Sequence, residues 1–222
     1  MSVAVWLGNA APLRTIRWLD GALATGAKFE RAGTKVTAVA AGEGSWLDLA
    51  SDRATRAGVA CVGVATDIQL DYLGWAQVMA AVAQKLVLET ILVDEASRPE
   101  RAPEVAAIAE LLDAAQLTNV VSLAPDGAVI HASRIAGSEL MTCRVRGRAV
   151  IGVRVAGPAI EEYPTPTPSA TLKRFDLPAL GLDPIVLGHR ALAPRATQQQ
   201  RRTVDRVAEH LAVHVLPRTK GA

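Results

Sequence analysis

Three short stretches carry residue types able to hold a ligand, and each closes an apolar run. Gly42-Glu43-Gly44 follows Thr34 to Ala41 and precedes Ser45, Leu47, Leu49, Ala50 and Ala54, a strand, glycine turn and helix in succession. Backbone N–H groups at such a turn can meet a phosphate or an adenine ring. Gly-x-Gly without a third glycine is also an ordinary tight turn. Thr66-Asp67 closes the run Val59–Ala65, and Asp94-Glu95-Ala96-Ser97 closes Leu88–Val93. His210 and His214 stand at i and i+4, the spacing of a metal-ligating pair, but no carboxylate or cysteine pattern accompanies them. They read as solvated or interface histidines. His131 and His189 have no evident triad partner, and Cys61 and Cys143 read as inert buried thiols.

The stretch from Val59 to Val93 positions two of these loops. Between its apolar runs, Leu70, Leu73, Ala76, Val78, Ala80, Ala83 and Leu86 form a stripe close to helical period. A strand–helix–strand unit places its two strands parallel in one sheet, and ligands of open parallel sheets sit beyond the carboxyl ends of the strands. Val3–Leu7 predicts a strand before Gly8-Asn9. Pro12 then stands near the start of a helix running to Leu23 and stopped by Gly26, and Ser45 is placed to cap the next helix. Pro103 opens a helix with Val105, Ile108, Leu111 and Leu112. Leu117–Leu123 and Ala128–Ser133 flank the turn Pro125-Asp126-Gly127, a hairpin signal, and Ala136-Gly137 turns the chain again before Leu140–Val145. Arg148–Val155 returns to an apolar, central type of strand. The expected fold is α/β: a doubly wound, mostly parallel sheet of adenine-nucleotide-hydrolase-like type, with antiparallel hairpin additions and an extended C-terminal arm.

Composition narrows the classes. Half of the 222 residues are hydrophobic, the net charge is +2, and phenylalanine occurs only at 29 and 175, so the core is built of Ala, Val and Leu. Arg195 to Arg206 lacks the interleaved aromatics of a nucleic-acid surface. No apolar run reaches the ~18 residues a membrane helix needs, and Met1-Ser2-Val3 enters a strand without a basic leader. Two lone cysteines fit a reducing compartment, and a cytoplasmic protein is expected.

Residues 1–157 read as one α/β nucleotide-binding-type domain and residues 158–222 as an arm with a final helix. Tyr163-Pro164-Thr165-Pro166-Thr167-Pro168 alternates proline and favours an extended segment. Thr203 to Leu216 carries Val204, Val207, Leu211 and Val215 on one helical side, so the arm needs a surface to lie on, its own domain or a partner.

The order of elements resembles the beta subunit of the electron transfer flavoproteins. Val39-Ala40-Ala41-Gly42 resembles that family's strand ending Cys-Gly, and Arg53 to Gly58 its helix ending Ala-x-x-x-Gly-Ala. Leu112 to Thr118 is similar to Leu-Gly-x-Pro-Gln-x-Thr, Tyr163-Pro164-Thr165 to Arg-Tyr-x-Thr-Leu-Pro, and Leu180-Gly181-Leu182-Asp183 to Leu-Gly-x-Asp. The resemblance implies a heterodimer with an alpha subunit, FAD shared with and mainly held by that subunit, and no catalytic residues in this chain. It implies electrons passing from a flavin-dependent dehydrogenase to a membrane quinone oxidoreductase, with no nucleic-acid partner and no direct membrane insertion. It also implies an AMP in the beta-type domain, against Ala4 of the first strand, the turn at Gly42 and Gly44, and the loop with Asp94 and Ser97. The family loop that offers donors to the phosphate, Asn-Gln-Thr-Gly, falls here within Arg98 to Val105, where Pro103 has no N–H and Glu104 adds negative charge. Those residues argue against AMP.

Because alternating prolines restrict the unbound chain and so reduce the entropy lost on docking, the segment from Tyr163 through Thr165, Pro166 and Thr167 to Leu172, Lys173 and Arg174 is expected to dock a partner, with Leu172 turned outward. The family's anchoring leucine aligns with Pro166, so partner choice should differ. The alternative reading is a small adenine-nucleotide-binding module of stress-protein type without a redox role, which leaves the hairpins and proline arm unexplained. A hydrolase or ligase loop of Ser-Gly-Gly-x-Asp-Ser type and a Gly-x-Gly-x-x-Gly fingerprint are both missing after the first strand.

Overall fold

The computed structural model describes residues 1–8, 15–95, 102–154 and 172–192. In chain order they form β1 (Ser2–Gly8), α1 (Thr15–Arg31), β2 (Lys35–Gly42), α2 (Gly44–Arg56), β3 (Ala60–Ala65), α3 (Tyr72–Leu86), β4 (Thr90–Asp94) and α4 (Ala102–Leu112). There follow β5 (Ala115–Asp126), β6 (Val129–Ala136), β7 (Glu139–Arg146), β8 (Ala149–Val153), β9 (Lys173–Asp176), a 3₁₀ turn at Pro178–Leu180, and α5 (Pro184–Leu192).

The described strands make one nine-stranded sheet in the order β7-β6-β5-β8-β4-β1-β2-β3-β9. Every pairing from β5 to β9 is parallel, while β5–β6 and β6–β7 are antiparallel. Parallel strands must be covered on both faces, and the pleat divides β1 accordingly. Val3, Val5 and Leu7 join a core with Leu19, Leu23 and Phe29 of α1 and Leu47 and Ala50 of α2. Ala4 and Trp6 join the opposite core with Trp75 and Met79 of α3 and Val105 and Ile108 of α4. The chain winds outward from β1 in both directions, the doubly wound α/β arrangement expected, so the β1/β4 boundary is where strand order reverses.

Several local expectations change. Helix α1 does not stop at Gly26 but continues to Arg31. A Cβ at Gly26 would lie 3.0 Å from Val5 Cγ2 and 3.3 Å from Val36 Cγ1, so the glycine lets the helix lie close on β1 and β2 rather than ending it. Helix α2 begins at Gly44 with Glu43 at the N-cap position and no side-chain cap bond, so Ser45 is inside the helix. By contrast Asp71 caps α3 by accepting the Gly74 N–H at 2.8 Å.

The largest difference is β9. Lys173–Asp176 pairs parallel with β3, Val62 opposite Lys173 through Ala65 opposite Asp176, and buries Phe175. Leu172 is half-buried and packs on the α1/α2 core, 3.6 Å from where a Gly63 Cβ would stand, and is not the outward side chain expected. A compact unit therefore runs from Met1 to Ala191, past the boundary placed at residue 157, because the sheet takes its last described strand from beyond it. Residues 192–222 form a second unit, of which only Leu192 is among the described residues, so the expected Thr203–Leu216 helix lies outside them.

Candidate functional site

The carboxyl ends of β1, β2, β4 and β8 meet at the switch point, where open α/β sheets bind ligands. Gly8 ends β1 with φ 70°, and its carbonyl accepts the indole N–H of Trp46 at 3.1 Å, a buried bond that lays α2 across the strand end. Gly42 ends β2 with φ 141°, a conformation that favours glycine, and its carbonyl accepts the Thr66 N–H at 3.1 Å. Gly44 is the exposed first residue of α2, with open space where its Cβ would be. Asp94 is the partly buried last residue of β4. Ala4 is fully buried in the sheet, opposite Thr37 and Ile91.

On the α4 face the wall of the crevice is Trp6. It is fully buried, in register with Val39 and Val93, and its indole N–H donates to Glu104 Oε2 at 3.1 Å. Glu104 lies in the first turn of α4 and is itself buried. One hydrogen bond thus ties the first strand to the start of the helix that would face a nucleotide phosphate. On the α1 face the strand ends enclose a cavity of about 20 Å³ lined by Val5, Ala22, Thr25, Leu92, Asp94 and Val153. That is room for a single water. An open groove of about 390 Å³ lies among α3, α4 and α5 instead, lined by Gln77, Ala80, Gln84, Leu111, Leu182 and Leu187.

Next to the switch point stands a carboxylate that sequence reasoning passed over. Glu95 is 7% exposed, and its N–H donates to the Val153 carbonyl at 2.9 Å. Its Oε2 accepts the Asn119 N–H at 2.9 Å, and Oε1 has no partner among the described residues. Asn119 sits at a register shift of β5 with φ 58°, which turns its N–H toward Glu95, and Arg154 Nη1 donates to its side-chain oxygen at 3.3 Å. Burial pushes the Glu95 carboxyl above its usual range, against the Asn119 hydrogen bond and the positive Arg154. The group fits only because residue 152 is glycine: a Cβ there would fall 2.2 Å from the carboxylate. Burial likewise raises the Cys61 thiol to about 12, which fits an inert core thiol.

Of the residues proposed from sequence, Gly42 and Asp94 stand at the strand ends, with Gly44 on the turn beside them, while Ala4 lies deeper in the core. Ser97 and Tyr163, Thr165, Pro166 and Thr167 lie outside the described residues. Lys173 and Arg174 are exposed on β9, with Lys173 Nζ 5.1 Å from the Phe175 ring centre and Arg174 paired to Asp48 of α2. Trp6, Trp46, Glu95 and Gly152 were missed. A tryptophan inside a Val/Ala/Leu strand was a visible signal, but its partner lies 98 residues away.

The family model for the electron transfer flavoprotein domain matches residues 18–180. The chain belongs to the electron transfer flavoprotein family. The matched span holds most of α1, all of the sheet beyond β1 and the hairpin ribbon. No curated protein matches the chain. Among the described residues, no helix is long and apolar enough to cross a membrane, and no group of three or more His, Cys, Asp or Glu could hold a metal ion.

Proposed function

We propose that this chain is a beta-type subunit that pairs with an alpha-type subunit and carries electrons from a flavin-dependent dehydrogenase to a membrane quinone oxidoreductase. It acts as an electron carrier subunit with no catalytic residues of its own. The observation that supports this reading is the match of the electron transfer flavoprotein domain over residues 18–180, which spans a doubly wound sheet extended by an antiparallel ribbon. In this reading FAD is shared with the partner and held mainly by it. When bound, FAD supplies the one- and two-electron chemistry. This chain's part is to present its surface to the partner and keep the fold rigid behind it. The segment through Tyr163, Thr165, Pro166 and Thr167 to Lys173 and Arg174 remains the proposed docking arm, with Leu172 holding its end to the α1/α2 core. Its exposed portion on β9, Lys173 and Arg174, supplies positive charge that steers an acidic rim.

The experiment is a flavin spectrum of the chain purified alone and together with an alpha-type subunit. The lone chain is expected to show no stoichiometric flavin absorbance, and the complex one FAD. A full flavin complement on the lone chain would overturn the assignment.

A further inference from the structure

The family resemblance implies AMP between the first strand and the start of α4, and the structure disagrees. We infer that Trp6 and Glu104 occupy the place of that nucleotide, so this domain is closed by its own side chains and takes no AMP. The inference rests on the beta-type reading proposed above, since the resemblance implies AMP for the beta-type domain.

Three observations carry it. The walls that would flank the nucleotide touch one another: the Trp6 indole N–H meets Glu104 Oε2 at 3.1 Å, both residues being buried. An indole is a flat bicyclic ring close in size to a purine, and here it shares one buried core with Ala4, Val39, Ile91, Val93 and Val105. Among the described residues the indole is 0% exposed, so a second ring could reach that position only by displacing it. The start of the helix is also already occupied. A helix N-terminus ordinarily attracts phosphate, but the first turn of α4 already carries the buried Glu104 carboxylate, with Asp94 at the end of the neighbouring strand. A phosphate brought there would have to displace the carboxylate that already takes the Trp6 N–H. On the opposite side of the strand ends, Trp46 donates to the Gly8 carbonyl and covers the end of β1. The indole thus stands in for a base, and the Glu104 carboxylate for the anion on the helix.

The test begins with the full chain purified alone, so that no FAD can be a source of AMP, and repeats with the flavin-loaded complex. Nucleotides released on mild denaturation are separated and identified by mass spectrometry. Fewer than roughly one AMP per ten chains is expected, with no rise in melting temperature up to millimolar AMP, since a ligand that binds only the folded state raises it with concentration. About one AMP per chain, or a saturating rise at micromolar AMP, overturns the inference. The closure itself is tested with Glu104→Ala. Loss of the indole's partner is expected to lower the melting temperature by several degrees, with no restoration by AMP. An unchanged melting temperature and unchanged tryptophan emission would show that the pair closes nothing. Should the variant not fold, the released-nucleotide measurement on the unaltered chain decides alone. Absence of FAD from the complex would overturn the subunit assignment while the nucleotide count on the chain alone still tests the closure, whereas AMP with normal FAD overturns the closure and leaves the assignment standing.

Discussion

The parallel part of the sheet and the antiparallel ribbon are built from the same kind of strand and treated oppositely by solvent. All five residues of β8 are buried, as are six of the seven in β1, because helices cover both faces there. In β7 six of eight residues are exposed and none is buried. Ile135 and Leu140 stand directly opposite each other near the ribbon's end, 41% and 68% exposed, with Met141 beside them at 48%. The parallel half therefore spends its apolar residues on internal cohesion, and the ribbon keeps some at the surface. Shape in the first half is set by close fits, and mutations there should be costly. On β7 an exposed apolar side chain can be exchanged with little loss of stability, whereas Val120, Ile130 and Ala132 of β5 and β6 belong to the core.

The sharpest way to break this contrast is Gly152→Ala in β8. The new methyl group would drive the Glu95 carboxylate off the Asn119 N–H, and a loss of about 3 kcal/mol is expected from overpacking, read from urea midpoints. A loss below 1 kcal/mol would mean the cradle is loose. Glu95→Gln should act through pH. Because burial raises this carboxyl above 4.5, the folded chain keeps the proton to higher pH than the unfolded chain does. Stability contributed by the neutral form is present below pH 4.5 and is lost as pH rises through the raised folded value. The Gln variant should lose that decline and gain on the unaltered chain as pH rises above 4.5; parallel profiles for the two would reject the assignment. The smallest effect belongs to the ribbon: Leu140→Ser should change stability by no more than about 0.5 kcal/mol. A loss beyond 1.5 kcal/mol in the isolated chain would show that the ribbon's surface is part of the core.

Much of the fold was legible. Strands β1 to β4 were readable as apolar runs closed by Gly, Thr or Asp, and the ribbon announced itself through Asp126-Gly127 and Gly137, whose φ values of 57° and 62° are those a glycine turn supplies. Other features were hidden because their causes are distant in sequence. Gly26 looked like a helix stop, and only its contacts with Val5 and Val36 show why the helix needs it. Strand β9 has four residues, three of them charged, after a proline-rich segment; nothing local marks it as part of a sheet. In the site, Glu104 was visible as a misplaced charge beside Pro103. Its pairing with Trp6 was not, and neither was the burial of Glu95, which depends on a missing side chain in β8 and a backbone twist at Asn119.

Strand β9 also bears on how the chain is made. Its partner β3 leaves the ribosome some hundred residues earlier, and at roughly 5–20 residues per second the interval is on the order of 5–20 s. For that time the flank of β3 that will receive Phe175 offers a row of unpaired backbone groups, the kind of edge that recruits foreign strands. The waiting edge is short, and Gly63 and Ala65 give it little to grip. When Lys173–Asp176 arrives it replaces that edge with one of four residues bearing Lys, Arg and Asp, so the finished sheet ends in charge on the side where the nascent one was exposed.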